Sequence, residues 1–165
     1  MLNNISTDSE GLLHQVFDQS SAGFQIIDRN WKYVFVNPSV IKQGKSSENE
    51  LLGRTMMEAY PGIENTSMFI QLKKSMDEKA VVRMDNHFIY PDGTKGWFKL
   101  FIHPWSDGIM IFSFDITQHK YDEIDLNFKI EELETLVETD ELKQKVVEIK
   151  KMFADIHKPE ISILN

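Results

Sequence analysis

The chain has 165 residues, 41% of them hydrophobic, with no cysteine and a formal net charge of −8. That length suits one domain with an extension, and that hydrophobic share supports a packed core rather than wholesale disorder. The missing cysteine excludes disulfides, thiolate catalysis and cysteine-ligated zinc or iron–sulfur clusters, and the acidic balance argues against nucleic acid as a partner.

No apolar run approaches the roughly 20 residues of a membrane-spanning helix. Met1-Leu2-Asn3-Asn4-Ile5-Ser6 has no basic region before an apolar stretch, so no signal peptide is read. A soluble, cytoplasmic protein is expected. Charge is spread unevenly: residues 121–165 carry twelve acidic and six basic side chains, a net of −6, whereas residues 1–120 carry a net of only −2. The shift places an organisational boundary near residue 118.

Thr7 and Glu10 fit a capping box, in which hydroxyl and carboxylate satisfy each other's orphan amides. Leu12, Leu13, Val16 and Phe17 follow at helical spacing, so a cap helix is predicted over 1–20. Gly23 to Ile27 and the β-branched, aromatic Tyr33-Val34-Phe35-Val36 read as strands around the turn-forming Asp28-Arg29-Asn30, hence a hairpin. Asn37-Pro38 suits a helix start, with Asn as N-cap and Pro where no amide donor is needed. Ser47 and Glu50 form a second capping box, Leu51 and Leu52 follow, and Gly53 is a plausible stop. A further helix is predicted over 67–79, with Phe69, Leu72 and Met76 on one face.

The period then switches to two. Strands are predicted at Val81 to Tyr90, at Trp97 to Ile102 and at Ile109 to Phe114. The turns Pro91-Asp92-Gly93 and Ser106-Asp107-Gly108 join them into an antiparallel meander. Ile109 to Phe114 is almost continuously apolar, which places it centrally in the sheet. Beyond residue 118 two heptad seams appear, Leu126/Ile130/Leu133/Val137 and Leu142/Val146/Ile149/Phe153/Ile156. A step of five separates Val137 from Leu142, and Thr139-Asp140 lies in the gap. Either one helix carries a skip or two helices meet there.

This order of elements resembles the PAS/PAC sensory-box family over about residues 10–120. The likeness rests on Phe24-Gln25-Ile26-Ile27-Asp28, on Tyr33 to Pro38, on Glu50-Leu51-Leu52-Gly53, on Tyr90-Pro91-Asp92-Gly93, on Trp97-Phe98 and on Phe112-Ser113-Phe114-Asp115-Ile116-Thr117. The resemblance implies an α+β PAS fold: a five-stranded antiparallel sheet in the order 2-1-5-4-3 with short helices on one face. The expected organisation is a cap helix (1–20), a PAS domain (21–118), a helical, coiled-coil signalling segment (119–158) and a tail (159–165). The family also implies a sensory or dimerising role, with Asp115, Ile116 and Thr117 coupling the last strand to the outgoing helix. Turning or tilting that helix is a natural two-state output.

The resemblance implies a cleft between helices and sheet, and Phe24, Ile26, Met56, Phe69, Met76, Phe98 and Phe112 are its candidate lining. Each is also a natural core residue. Trp97 adjoins Phe98, so only one of the two faces the helices. The flavin-adduct and covalent-chromophore members of the family need a cysteine, which this chain lacks, and 67–79 holds no histidine for haem. No cofactor is predicted, and neither haem nor flavin is favoured. An unidentified small ligand and a fully packed core both stay open. His14, His87, His103, His119 and His157 show no metal-ligand spacing.

Phe153 to Leu164 faintly resembles the phosphoacceptor box of histidine kinases, but His157 stands two residues before Pro159 where that box has five, so no phosphotransfer is expected. No Gly-x-Ser-x-Gly, P-loop or Gly-x-Gly-x-x-Gly is present, and no enzyme is read. The expectation is a PAS signal-transduction module. It would act as a homodimer through Leu12, Val16, Phe17, Leu142, Val146, Ile149 and Phe153, and through a signalling protein partner. A small-molecule sensor and the sensory fragment of a histidine kinase are the alternatives, and fold alone does not choose among them.

Overall fold

The structure, a computed structural model, describes residue 11, residues 15–137 and residues 139–156. The Thr7/Glu10 capping pair, Leu12, Leu13, His14 and His157 lie outside these residues. Residues 15–19 are helical. There follow β1 (Gly23–Asp28), β2 (Tyr33–Val36), α1 (Pro38–Gly44), α2 (Glu48–Leu51), α3 (Met56–Ala59), a 3-10 turn (Ile63–Asn65), α4 (Ser67–Glu78), β3 (Val82–Ile89), β4 (Lys95–Trp105) and β5 (Gly108–Asp115). Two longer helices close the chain, α5 (Thr117–Leu136) and α6 (Asp140–Ile156). The chain divides after Thr117 into two compact units.

The five strands form one antiparallel sheet in the order β2-β1-β5-β4-β3, as the resemblance implied. β5 lies at its centre, which its apolar run requires. Local chemistry starts the helices. Asn37 caps α1 by accepting from the Val40 amide, with Pro38 at the first helical position. Before α2, Glu50 Oε2 accepts from the Ser47 amide and hydroxyl, both at 2.8 Å. Thr55 and Glu58 repeat this box at α3, which the sequence reading did not single out. Thr66 caps α4 through the Phe69 amide at 3.2 Å.

Strand alternation gives the sheet two faces. Ile27, Phe98, Leu100, Ile102, Ile109 and Ile111 point to the helices and pack on Val40, Leu51, Met56, Leu72 and Met76. Phe98 is thus the inward residue of the Trp97-Phe98 pair; Trp97 faces the other way and stacks on His87 at 4.2 Å. That opposite face carries its own aromatic cluster: Phe24 stacks on Phe17 at 4.4 Å and packs on Phe112 at 4.7 Å and Phe35 at 5.6 Å. Gly108 is forced by close approach, because a Cβ there would run into the Ile27 carbonyl on the neighbouring strand.

In the second unit the step of five between the heptad seams coincides with a break between two helices. Ile130 of α5 and Val146 of α6 are buried, and Lys150 Nζ meets Glu134 Oε2 at 2.6 Å, linking the pair. At 100° per residue, Tyr121, Ile124 and Phe128 form a second apolar stripe on the side of α5 opposite Ile130. These three are 47%, 56% and 65% exposed. Among the described residues no helix is long and apolar enough to cross a membrane.

Candidate functional site

Between α1, α3, α4 and the inner face of the sheet lies a cavity of about 100 Å³. Met56, Ile63, Met68, Leu72, Phe88, Phe98, Leu100 and Ile111 make most of its wall. Its polar lining is Gln25, Tyr33, Gln43, Tyr60, Asn86 and Ser113, and among the described residues no ionisable acid or base other than the two phenols borders it. Outside it opens a wider cleft of about 770 Å³, which shares Gly44, Tyr60, Ile63, Met68, Asn86 and Phe88 with the cavity and adds the charged Lys45, Glu50, Arg54 and Glu58. Tyr60 and Phe88 stand edge to face at 5.8 Å where the two spaces meet.

Of the seven expected cleft residues, Met56 and Phe98 line the cavity and five do not. Phe24, Ile26 and Phe112 belong to the opposite sheet face. The inward parity on β1 and β5 falls to Gln25, Ile27, Ile109, Ile111 and Ser113. Phe69 and Met76 are buried in the core without lining the cavity, Phe69 against Trp31 at 4.5 Å. Of the polar wall, Gln25 and Ser113 each interrupt an otherwise apolar run, whereas Asn86 stands between Asp85 and His87 and gives no such mark. Such an interruption is a readable signal, since burying a polar group without a partner is costly.

Two of the polar residues are tied together. Ser113 Oγ donates to Gln43 Oε1 at 2.5 Å, and Gln43 Nε2 donates to the Ser113 carbonyl at 3.2 Å. The Gln43 carbonyl accepts from Tyr90 Oη at 2.5 Å. This staple joins α1 to β5 and is the reason for Gly23, whose added Cβ would strike Ser113 Oγ and Gln43 Oε1. Gln25, Tyr33, Tyr60 and Asn86 complete the polar lining. Burial pushes the Tyr33 phenol up from its ordinary range, and Tyr60 adds to this, so it stays a neutral donor. A salt link spans the cleft rim: Lys45 Nζ contacts Asp92 Oδ2 at 2.8 Å and Thr94 Oγ1 at 2.6 Å, over the Tyr90 ring.

The Asp115-Ile116-Thr117 segment lies two residues beyond Ser113. Asp115 Oδ1 accepts from the Thr117 amide at 2.9 Å, Thr117 Oγ1 accepts from the Trp97 amide at 2.9 Å, and the Ile116 amide donates to the Trp97 carbonyl at 2.9 Å. Thr117, the last residue of the first unit, is thereby tied to β4 as well as to β5. Of the expected dimer residues, Val16, Leu142 and Ile149 are exposed, Phe17 and Phe153 half-buried and Val146 buried. His87 and His103 lie on the sheet face away from the cavity, against Trp97 and Phe112. Among the described residues no cluster of His, Asp or Glu could hold a metal.

A family model described as PAS fold matches residues 17–120. The chain belongs to the PAS family. No curated protein sequence matches it. Similar solved structures include the PAS domain of a protein from Colwellia psychrerythraea, at 14% identity and TM-score 0.57 over 67% of this chain and 99% of that one. The LOV protein of Rhodobacter sphaeroides is similar at 14% identity and TM-score 0.56, over 92% of this chain and 99% of that one. A domain of a sensory box sensor histidine kinase/response regulator from Geobacter sulfurreducens is similar at 19% identity and TM-score 0.54, over 67% and 96%. At these identities the likeness concerns the fold. The inner cavity by itself is smaller than the sites of drug-sized ligands, which run from about 300 Å³ upward.

Proposed function

We propose that this chain is a signal-input module in which the state of the cleft is passed through β5 to the outgoing helix, and that it works as a homodimer. The observation that carries the reading is the continuity of the polar staple with the coupling segment. The cavity-lining Ser113 is bound to Gln43 on one side and, two residues later, Asp115 and Thr117 are tied to one another and to Trp97. A change that loosens Gln43 from Ser113 shifts the end of β5 and so the angle at which α5 leaves. A two-state element of this kind turns a small local change into a readable one.

The exposed stripe Tyr121, Ile124 and Phe128 supports dimerisation. A helix apolar on two opposite sides needs two partners, and α6 supplies only one. A second copy of α5 is the partner proposed.

The test exploits the absence of cysteine. Asn127→Cys, labelled with a nitroxide, gives one probe per chain on an exposed position of α5. Pulsed dipolar spectroscopy is expected to show a defined distance between copies. Ser113→Val, which removes the hydroxyl bond of the staple, is expected to move that distance, and Thr117→Val, which frees the Trp97 amide, to broaden it. No dipolar signal would remove the dimer. An unchanged distribution in both variants would remove the transmission route.

A further inference from the structure

We infer that the edge of β3 takes an extended segment of another protein as a sixth strand of the sheet. Alternate residues of that segment are apolar and turn into the outer cleft, and the residues between them follow an acid–base–acid pattern. The contact lies wholly in the first unit and uses neither the inner cavity nor α5, so it stands apart from the signal-input reading.

The sheet ends in β2 on one side and β3 on the other. A terminal strand offers a row of amides and carbonyls to any further strand. The β2 edge is covered by the chain itself: Lys32 pairs with Thr55, Tyr33 pairs with Leu52, and the Tyr33 amide donates to the Arg54 carbonyl at 2.9 Å. β3 pairs with β4 along all eight of its residues. Among the described residues, Asn86, His87, Phe88 and Ile89 make no backbone-to-backbone hydrogen bond outside that pairing.

Room for a strand lies alongside. The outer cleft of about 770 Å³ has Asn86 to Pro91 on one side and residues between Gly44 and Met68 on the other. Asn86 and Phe88 also line the inner cavity, so they hold the parity that faces the helices. His87 and Ile89, of the opposite parity, border the cleft as well, so it runs along the edge of the strand and not only beneath its face. Residues directly opposite one another on neighbouring strands share a face. In an added strand, the residues opposite Asn86 and Phe88 therefore turn into the cleft, toward Pro61, Ile63 and Met68. The charged groups of the cleft already have partners: Lys45 holds Asp92, Glu50 accepts from Ser47 and Glu58 from Thr55. Apolar side chains suit that side of the new strand.

The other side is patterned by charge. Arg83, Asp85 and His87 share the outer face of β3, opposite Phe101, Lys99 and Trp97 of β4. The Arg83 guanidinium lies over the Phe101 ring at 5.6 Å, and His87 stacks on Trp97 at 4.2 Å. A sixth strand extends each of these rows. A guanidinium has five donors and a carboxylate about four acceptor sites, so the neighbours on β4 leave capacity for another partner. Opposite charges facing one another across strands stabilise the pair, and like charges weaken it. The matching strand carries an acid opposite Arg83, a base opposite Asp85 and an acid opposite His87. This pattern reads the same in both directions, so it serves a parallel or an antiparallel strand. The same alternation repels a strand of reversed charge, which makes the edge selective.

The probes are the peptide acetyl-VEVKVEV-amide and its charge-reversed partner acetyl-VKVEVKV-amide, titrated into the full chain while ¹H–¹⁵N spectra are recorded. The first is expected to shift the amides of Val82–Ile89 saturably and to slow hydrogen exchange along that strand. The second is expected to bind at least tenfold more weakly, although its net charge of +1 is the one attracted by a chain of −8. The difference is expected to narrow as salt is added. N-methylation of the charged residues and N-methylation of the valines block opposite edges of the peptide, so one is expected to abolish binding and the other to be tolerated. The variant Arg83→Glu/Asp85→Lys is expected to reverse the preference between the peptides. If it does not fold, the peptide and methylation comparisons on the unaltered chain decide. Equal binding of the two peptides, equal loss from the two methylations, or no shift of the β3 amides at millimolar peptide would each overturn the inference. Shifts of those amides with protein concentration alone would give the edge to a second copy of this chain and overturn it as well.

Discussion

Replacing Asn37 tests how the cleft's first helix is anchored. Its side chain is fully buried and makes four hydrogen bonds. Oδ1 accepts from the Phe24 amide at 2.9 Å and from the Val40 amide at 3.1 Å. Nδ2 donates to the Phe17 carbonyl at 2.8 Å and to the Ala22 carbonyl at 2.9 Å. One carboxamide thus ties the segment of residues 15–19, the entry to β1 and the start of α1. In Asn37→Ala the Val40 amide keeps a bond to the Asn37 carbonyl at 3.1 Å, so the lost cap costs only about 0.5 kcal/mol. The Phe24 amide is left buried and unpaired, at about 1–2 kcal/mol, and the two carbonyls add about 0.5 kcal/mol each. The sum is about 3 kcal/mol. Asn37→Asp keeps both acceptor bonds but turns a carboxylate toward two carbonyls, so it is expected to be at least as harmful at neutral pH and to recover as the pH falls and the group protonates. The assay is urea unfolding at 25 °C followed by tryptophan fluorescence. Trp31, Trp97 and Trp105, the three tryptophans, all lie in the first unit, so the signal reports this domain. A loss below about 1 kcal/mol in Asn37→Ala would refute the reasoning, because it would mean that buried amide and carbonyl groups find other partners at little cost.

Two glycine substitutions are expected to differ in rank. Gly108→Ala drives a Cβ into the Ile27 backbone and is expected to cost about 3 kcal/mol, whereas Gly23→Ala meets only side-chain atoms, of Ser113, Gln43 and Val40, and is expected to cost about 1 kcal/mol while disturbing the staple. The same urea assay checks the order, and a reversed order would contradict it. Acid sensitivity is the remaining expectation. The Lys45 hydrogen bond to Asp92, the Ser47 hydroxyl bond to Glu50 and the Thr55 amide bond to Glu58 each hold a carboxyl below its usual range. Folded values below unfolded ones mean that the unfolded chain takes up more protons, so this stability is present above about pH 4.5 and is lost as the pH falls. The triple variant Asp92→Asn/Glu50→Gln/Glu58→Gln is expected to flatten the acid limb of a stability–pH curve, and an unchanged limb would place the acid loss elsewhere.

The elements were legible in the sequence because each is written in local chemistry. Asn37-Pro38 and Ser47 with Glu50 mark helix starts through bonds within one turn. Pro91-Asp92-Gly93 turns the chain through bonds such as Thr94 amide to Asp92 Oδ1 at 2.9 Å. The family followed from their order. The candidate site was barely legible. On β1 and β5 both faces are covered by apolar groups, so alternation carried no mark of which side met the helices, and Phe24, Ile26 and Phe112 were assigned to the wrong face of the sheet. The break in the heptads, a step of five, was written plainly, yet only the tertiary structure shows two helices meeting there.

By itself, then, the sequence determined the order and kind of elements, the five-stranded sheet through family likeness and the exclusion of cysteine chemistry. Only the tertiary structure decided which residues share the cavity. Gln25, Gln43, Asn86 and Ser113 are brought together from two strands at the sheet's centre, one strand at its edge and one helix. Their meeting depends on strand parity and helix docking, both set by packing across the whole core, which no short stretch of chain encodes.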